Sequence, residues 1–165
     1  MTRQEFDENV RKIKDWLTDE GIFRTQVTDE NAHHHFQIEF PSGSGNLRGI
    51  IFPKPSEDIV LIIGGAGLSQ EHYQKLKSMP PQERKNLLWD MRFDLLFKES
   101  EFKMIPNPED LQQIQFIRPL RLDGLTRNIL MDAIRDNYRC VLYVTWTMMR
   151  HFGEAPPKSS DAMYS

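Results

Sequence analysis

The sequence predicts an α+β fold. It has an antiparallel sheet, a meander of four strands plus a later strand pair, packed by an N-terminal helix, a middle helical region and a long C-terminal helix. Three observations predict it. The chain opens and closes on stretches with helical apolar spacing. Between them lie short alternating or continuous apolar runs. The links between the early runs are too short for parallel crossovers.

The first helix is expected over residues 3–20. Thr2 and Glu5 have capping-box spacing, so each can satisfy a backbone donor at the helix start. Phe6, Val10, Ile13 and Leu17 form one apolar stripe, and Gly21 supplies a left-handed exit. That stripe needs a surface to cover it, and each of its side chains contributes roughly 1.5–3 kcal/mol on burial. Residues 22–28 then alternate loosely, and Asp29-Glu30-Asn31 reads as a turn. In HHHFQIEF, residues 33–40, Phe36, Ile38 and Phe40 share one face while His35, Gln37 and Glu39 share the other. PSGSGN at 41–46 reads as a flexible loop. LRGIIFP at 47–53 and DIVLIIGG at 58–65 complete the meander.

Two helical pieces are expected next, at about 69–78 and 81–98, divided by Pro80-Pro81. The second carries Leu87, Leu88, Met91 and Leu95 at helical spacing. EFKMIP (101–106) and IQFIRPLRL (114–122) read as a strand pair, with Pro119 at an edge or bulge. A long helix is read from Asp123, its expected N-cap, to His151. A break at CVLYVTW (140–146) is the alternative, because that run has high strand propensity. One domain is expected over 1–153, with a flexible tail over 154–165.

Composition bounds the function. The net charge is −3 and hydrophobic residues make up 39%, as in a soluble globular chain. No window approaches the ~20 apolar residues of a membrane helix. MTRQEFDENVRK has no apolar signal region, so a cytoplasmic location is expected. The single cysteine, Cys140, excludes an intramolecular disulfide, and its apolar neighbours mark a buried thiol. Arg118, Arg121, Arg127, Arg135, Arg139 and Arg150 are too sparse to read as a nucleic-acid face.

The motifs that promise chemistry are incomplete. IVLIIGGAGLSQEHYQKL has the outline of a phosphate-binding loop. Yet its third glycine position is Gln70, and no lysine follows Gly67. Gly64, Gly65 and Gly67 are read instead as letting the chain turn off the sheet, with Ser69 capping the next helix. His33 and His35, two apart on a strand, could share a face and reach a zinc ion, with Glu39 as a further candidate ligand. The fuller reading leaves them solvated, with His34 at the rim of the apolar face. No catalytic residues and no cofactor are expected.

What remains is a surplus of soft and aromatic side chains. Trp146 and Met149 fit a core stripe of the last helix, while Thr145, Met148 and Phe152 flank another face. A helix apolar over so wide an arc needs a second covering surface. Met131, Trp146, Met148, Met149 and Phe152 are therefore candidates for protein interaction.

The element order, together with DWLTDEG, FQIEFP, VLIIGG and LMDAIRDNYRCVLYVTWTMMRHF, resembles the type III secretion chaperone-like fold that YbjN-like proteins share. It also resembles an archaeal conserved domain family of unknown function. The resemblance spans residues 2–152 and carries no catalytic residues. It implies dimerisation and the binding of another polypeptide. The expected function is a non-enzymatic protein-binding or chaperone-like domain, partnered by a protein or by itself as a homodimer. The alternative is a ligand- or metal-binding enzyme using the His33/His35 strand or the Gly64–Gly67 loop.

Overall fold

The structure, a computed structural model, describes residues 1–154. Apart from Glu154, the tail read from the sequence lies outside the described residues. The elements run α1 (Arg3–Asp19), β1 (Phe23–Val27), β2 (Ala32–Glu39), β3 (Leu47–Pro53), β4 (Ile59–Gly67), α2 (Gln70–Ser78), α3 (Pro81–Leu96), β5 (Glu101–Pro106), β6 (Leu111–Arg121) and α4 (Arg127–Phe152). One six-stranded sheet has the order β1-β2-β3-β4-β6-β5, antiparallel at every pairing. The four-strand meander and the later pair are both present, joined where β4 meets β6.

α1 follows its sequence signature closely. The Glu5 amide donates to Thr2 Oγ1 at 3.1 Å, and the Thr2 amide donates to Glu5 Oε2 at 2.6 Å. Phe6, Val10, Ile13 and Leu17 are all buried, and Gly21 takes φ 72° at the exit. Their neighbours are Phe36, Ile38, Ile50, Phe52, Val60 and Ile62 from one face of the sheet. A second cluster on the same face gathers Leu76 of α2, Leu87, Leu88, Met91 and Leu95 of α3, and Ile114 and Phe116 of β6. α4 joins the two, giving Leu130, Met131 and Ile134 to the first and Cys140, Val144 and Met148 to the second.

α4 is one continuous helix of 26 residues, so the strand-like run 140–146 does not break it. Its start is shifted from the expected one. Thr126, not Asp123, is the N-cap, its hydroxyl accepting from the Ile129 amide at 3.2 Å. Asp123 precedes Gly124, whose φ of 72° turns the chain before the helix begins.

The glycine-rich stretch is also not what the sequence suggested. Gly64, Gly65 and Gly67 do not turn the chain off the sheet. They lie within β4, paired with Phe116, Gln115 and Gln113 of β6, and none has a positive φ. Gly64 is small for a tertiary reason. A Cβ there would stand 2.4 Å from Asn137 Oδ1 and 3.2 Å from Arg48 Nη1. Asn137 and Arg48 are 0% and 3% exposed. The Arg48 guanidinium donates to Asn137 Oδ1 at 2.8 Å, and Asn137 Nδ2 donates to the Phe116 carbonyl at 3.3 Å and the Ile62 carbonyl at 3.5 Å. One amide of α4 thus binds side chain or backbone of β3, β4 and β6 together.

Two predictions follow from this junction. Gly64→Ala is expected to cost roughly 1–3 kcal/mol in urea unfolding, since the added methyl overpacks a buried polar contact. Gly67→Ala, whose methyl meets nothing within 4 Å, is expected to stay within about 0.5 kcal/mol of the parent. Equal losses at both positions would show that chain entropy, not the Asn137 contact, sets the cost.

Candidate functional site

The proposed metal ligands are separated by a local irregularity in β2. Ala32 pairs with Pro53 and His34 with Phe52, which leaves His33 as an extra, bulged residue. The bulge breaks the two-residue alternation on which a shared His33/His35 face depended. His33 sits edge-on to Phe6 with ring centroids 5.4 Å apart, and His34 stacks on the same ring at 6.2 Å. His35 stays on the opposite face, its Nδ1 3.2 Å from Asp29 Oδ2. Glu39 is engaged elsewhere. Its carboxylate accepts from Arg24 Nη2 at 2.8 Å and from the Gly43 and Gly45 amides at 2.6 and 3.1 Å. The Arg24 contact comes first among the causes that lower its pKa, followed by the Gly43 amide. Among the described residues no three His, Cys, Asp or Glu side chains stand close enough to hold a metal ion.

The β4 glycines form no phosphate cradle, because their backbone is committed to the ladder with β6. Where β4 ends, Ser69 caps α2 by accepting from the His72 amide at 3.0 Å. A cavity of about 260 Å³ lies there, between Ala66, Ser69, His72, Val144, Met148 and Met149. The His72 imidazole lines that cavity and is tethered through one ring nitrogen. Its Nε2 donates to the Gly153 carbonyl at 2.8 Å, and Lys75 Nζ donates to the Phe152 carbonyl at 3.0 Å. Both contacts tie the end of α4 to α2. Cys140 is fully buried, and burial pushes its thiol up to about 11, far from a reactive thiolate.

The interaction candidates on α4 divide. Met131 and Met148 are core residues, 4% and 2% exposed, and offer nothing to a partner. The sequence placed the stripe one step off, because Asn137 stands at its centre and a polar residue there looks like a surface position. Trp146 is outside, at 63% exposed, while Met149 and Phe152 are half-buried. Four of the six late arginines lie in ion pairs: Arg118 with Glu99, Arg121 with Asp58, Arg127 with Asp19 and Glu20, and Arg135 with Asp132.

Two apolar surfaces escaped the sequence reading. The first is the sheet face away from the helices. The inward residues of β3, β4 and β6 alternate with Ile51, Leu61, Ile63 and Ile117, which point the other way and are half-buried. Register sets them side by side: Ile51 pairs with Leu61, Leu61 with the exposed Pro119, and Ile63 with Ile117. The second is the outer face of α3, where Trp89, Phe93, Leu96 and Phe97 are exposed. Trp89 and Phe93 have ring centroids 5.7 Å apart, and Arg92 lies 4.1 Å over the Trp89 ring. Spacing of four, three and one could have revealed this second stripe, but Leu87, Leu88, Met91 and Leu95 had already satisfied a one-sided helix. α3 is held to α4 by the Tyr143 hydroxyl, which donates to Asp94 Oδ2 at 2.6 Å. Burial and that carboxylate hold the phenol well above its usual range.

His34 gives the contact between β2 and α1 a pH signature. Burial lowers its imidazole below the ordinary 6.5, and the nearby Arg3 charge adds to the effect. The unfolded chain takes up a proton near 6.5 that the folded chain resists. Stability from neutral His34 is therefore full above that value and is lost as pH falls toward the folded one. The urea midpoint is expected to drop between about pH 7 and pH 5, and His34→Phe is expected to flatten that slope. An unchanged slope in His34→Phe would assign the effect to other groups.

Residues 9–148 match the family described as "Uncharacterized conserved protein (DUF2299)". A crystal structure of an uncharacterized protein from Methanothermobacter thermautotrophicus superposes with a TM-score of 0.83 at 28% identity, covering 88% of this chain and 99% of that one. The crystal structure of YbjN from E. coli superposes with a TM-score of 0.50 at 14% identity, over 86% of this chain and 91% of that one, a likeness of fold alone. No curated protein sequence matches the chain.

Proposed function

The chain belongs to the DUF2299 family, and we propose that it is a non-enzymatic, chaperone-like domain that binds polypeptide on the open face of its sheet. One observation carries this reading. Ile51, Leu61, Ile63 and Ile117 form a contiguous apolar row across three neighbouring strands, on the face opposite the buried cores. A surface of that kind suits an extended or helical apolar segment, because the contact needs no fixed hydrogen-bond geometry and admits more than one sequence. The titratable groups point the same way. His33, His35 and Glu39 are drawn apart by the β2 bulge and by the Glu39 contacts, and the Cys140 thiol is inert. No helix among the described residues is long and apolar enough to cross a membrane. Under this reading the domain works in the cytoplasm as a homodimer, and Trp146, Met149 and Phe152 offer a separate contact surface on the helical side of the sheet.

Site-specific photo-crosslinking tests the surface. A benzophenone side chain placed at Ile63 is expected to give polypeptide adducts in cells, and the same group at Lys12, on the exposed side of α1, is expected to give few. Leu61→Lys should remove the adducts at 63 while the far-ultraviolet circular dichroism stays unchanged. Equal labelling from 63 and 12 would refute the assignment.

A further inference from the structure

We propose that α3 is a parallel dimerisation helix, its outer face paired with the same face of a second copy of this chain. The inference deepens the homodimer part of the previous reading and is independent of the open sheet face, since the surface is a different one. Gln82, Asn86, Trp89, Phe93 and Leu96 are all exposed and recur at steps of four, three, four and three. That is the seam spacing of two helices wound on each other. The seam faces directly away from Leu87, Leu88, Met91 and Leu95, which are buried, so a second helix can lie along it without meeting the body of its own domain.

The flanks of the seam choose the occupant and its direction. Lys85 and Arg92 lie along one side, and Glu83, Asp90 and Phe97 along the other. In a parallel, in-register pair, each residue of the first flank meets the partner's residue five positions later. Lys85 then faces the partner's Asp90, and Arg92 faces the partner's Phe97. In an antiparallel pair like flanks meet, which sets Lys85 and Arg92 of both copies against one another. The charges thus fit a second copy of this helix in the parallel sense and oppose the alternative. Arg92 already lies on Trp89, and Phe97, at 85% exposed, is free to complete a cation–aromatic stack across the pair. A groove of about 350 Å³ beside Lys85, Trp89, Arg92, Pro108 and Glu109 leaves room for that ring.

Asn86 fixes the register. Its Oδ1 accepts from Gln82 Nε2 at 2.9 Å within the chain, and its own N–H groups can then bond the copy of Asn86 across the seam. A single asparagine at such a position is a known means of selecting one alignment of two helices. The exposed parts of Trp89, Phe93, Leu96 and Phe97 come to roughly 400–500 Å² per chain, given ~150–250 Å² for a whole aromatic side chain. This is smaller than the ~800 Å² per partner of a standard interface, so a dissociation constant in the micromolar range is expected.

Sedimentation equilibrium of the full chain tests the proposal. The expected result is a reversible dimer of the 19.4 kDa chain, converted to monomer by Phe93→Asp with unchanged circular dichroism. Lys85→Glu alone should weaken it about fivefold, and Lys85→Glu with Asp90→Lys should restore it, in line with the worth of paired surface charges. Direction is read by disulfide trapping. Asn86→Cys and Leu96→Cys, each made alone, should both give cross-linked dimers, because every seam position meets its own copy in a parallel pair. A monomer at all concentrations overturns the proposal, as does a dimer in which only one cysteine links. Adducts from Ile63 to other polypeptides in such a monomer would leave the open-face reading standing.

Discussion

The structure depends on one side chain placed where a polar group is costly. Asn137 sits at the middle of α4 with no exposed surface, and its amide meets the Arg48 guanidinium and the carbonyls of Ile62 and Phe116. Buried without partners, such an amide would cost several kcal/mol, about 2–7 depending on the reference state. Satisfied, it allows little freedom. The helix cannot rotate or slide on the sheet without giving up bonds to three strands at once. Gly64 is the complement of this contact, an absent side chain that lets the amide descend onto β4. A leucine at 137 could bury as much surface, but it would not define the azimuth of α4.

Fixing α4 determines which surfaces remain open. The helix spans both apolar clusters and closes the face of the sheet on which α1 and α3 also pack. The other face keeps the alternate residues of the central strands, and at its middle those are the branched aliphatics Ile51, Leu61, Ile63 and Ile117 rather than the polar residues usual on a wet face. α3 repeats the pattern at a smaller scale, with one stripe inside and another outside. A domain that supported only its own fold would have little reason to keep either surface apolar.

Local rules were easily read from the sequence. The capping box, the α1 stripe and the strand runs each depend on neighbours within a few positions, and the structure follows them closely. Two of the misreadings share one cause. Gly64 is glycine because of residue 137, and residue 137 is asparagine because of Arg48, so the spacing of glycines in β4 reports nothing about phosphate. The phase of α4 slipped for the same reason, with Trp146 taken inward and Met148 outward. The histidine pair was lost to a single bulged residue, which one-dimensional alternation cannot anticipate. The outer row of β3, β4 and β6 was present in the sequence as continuous apolar runs, but choosing a covered or open face requires knowing how many layers there are.

The loop from 41 to 46 has a composition of serine, glycine and asparagine that advertises looseness. Yet the Glu39 carboxylate gathers Arg24 and two of its amides, and the Ser44 hydroxyl donates to the Pro41 carbonyl at 2.5 Å. It is a closed ring around a single anion. A protease seeking an unguarded stretch would find it a poor substrate, and an affinity tag spliced there would have to break the ring before it could be displayed.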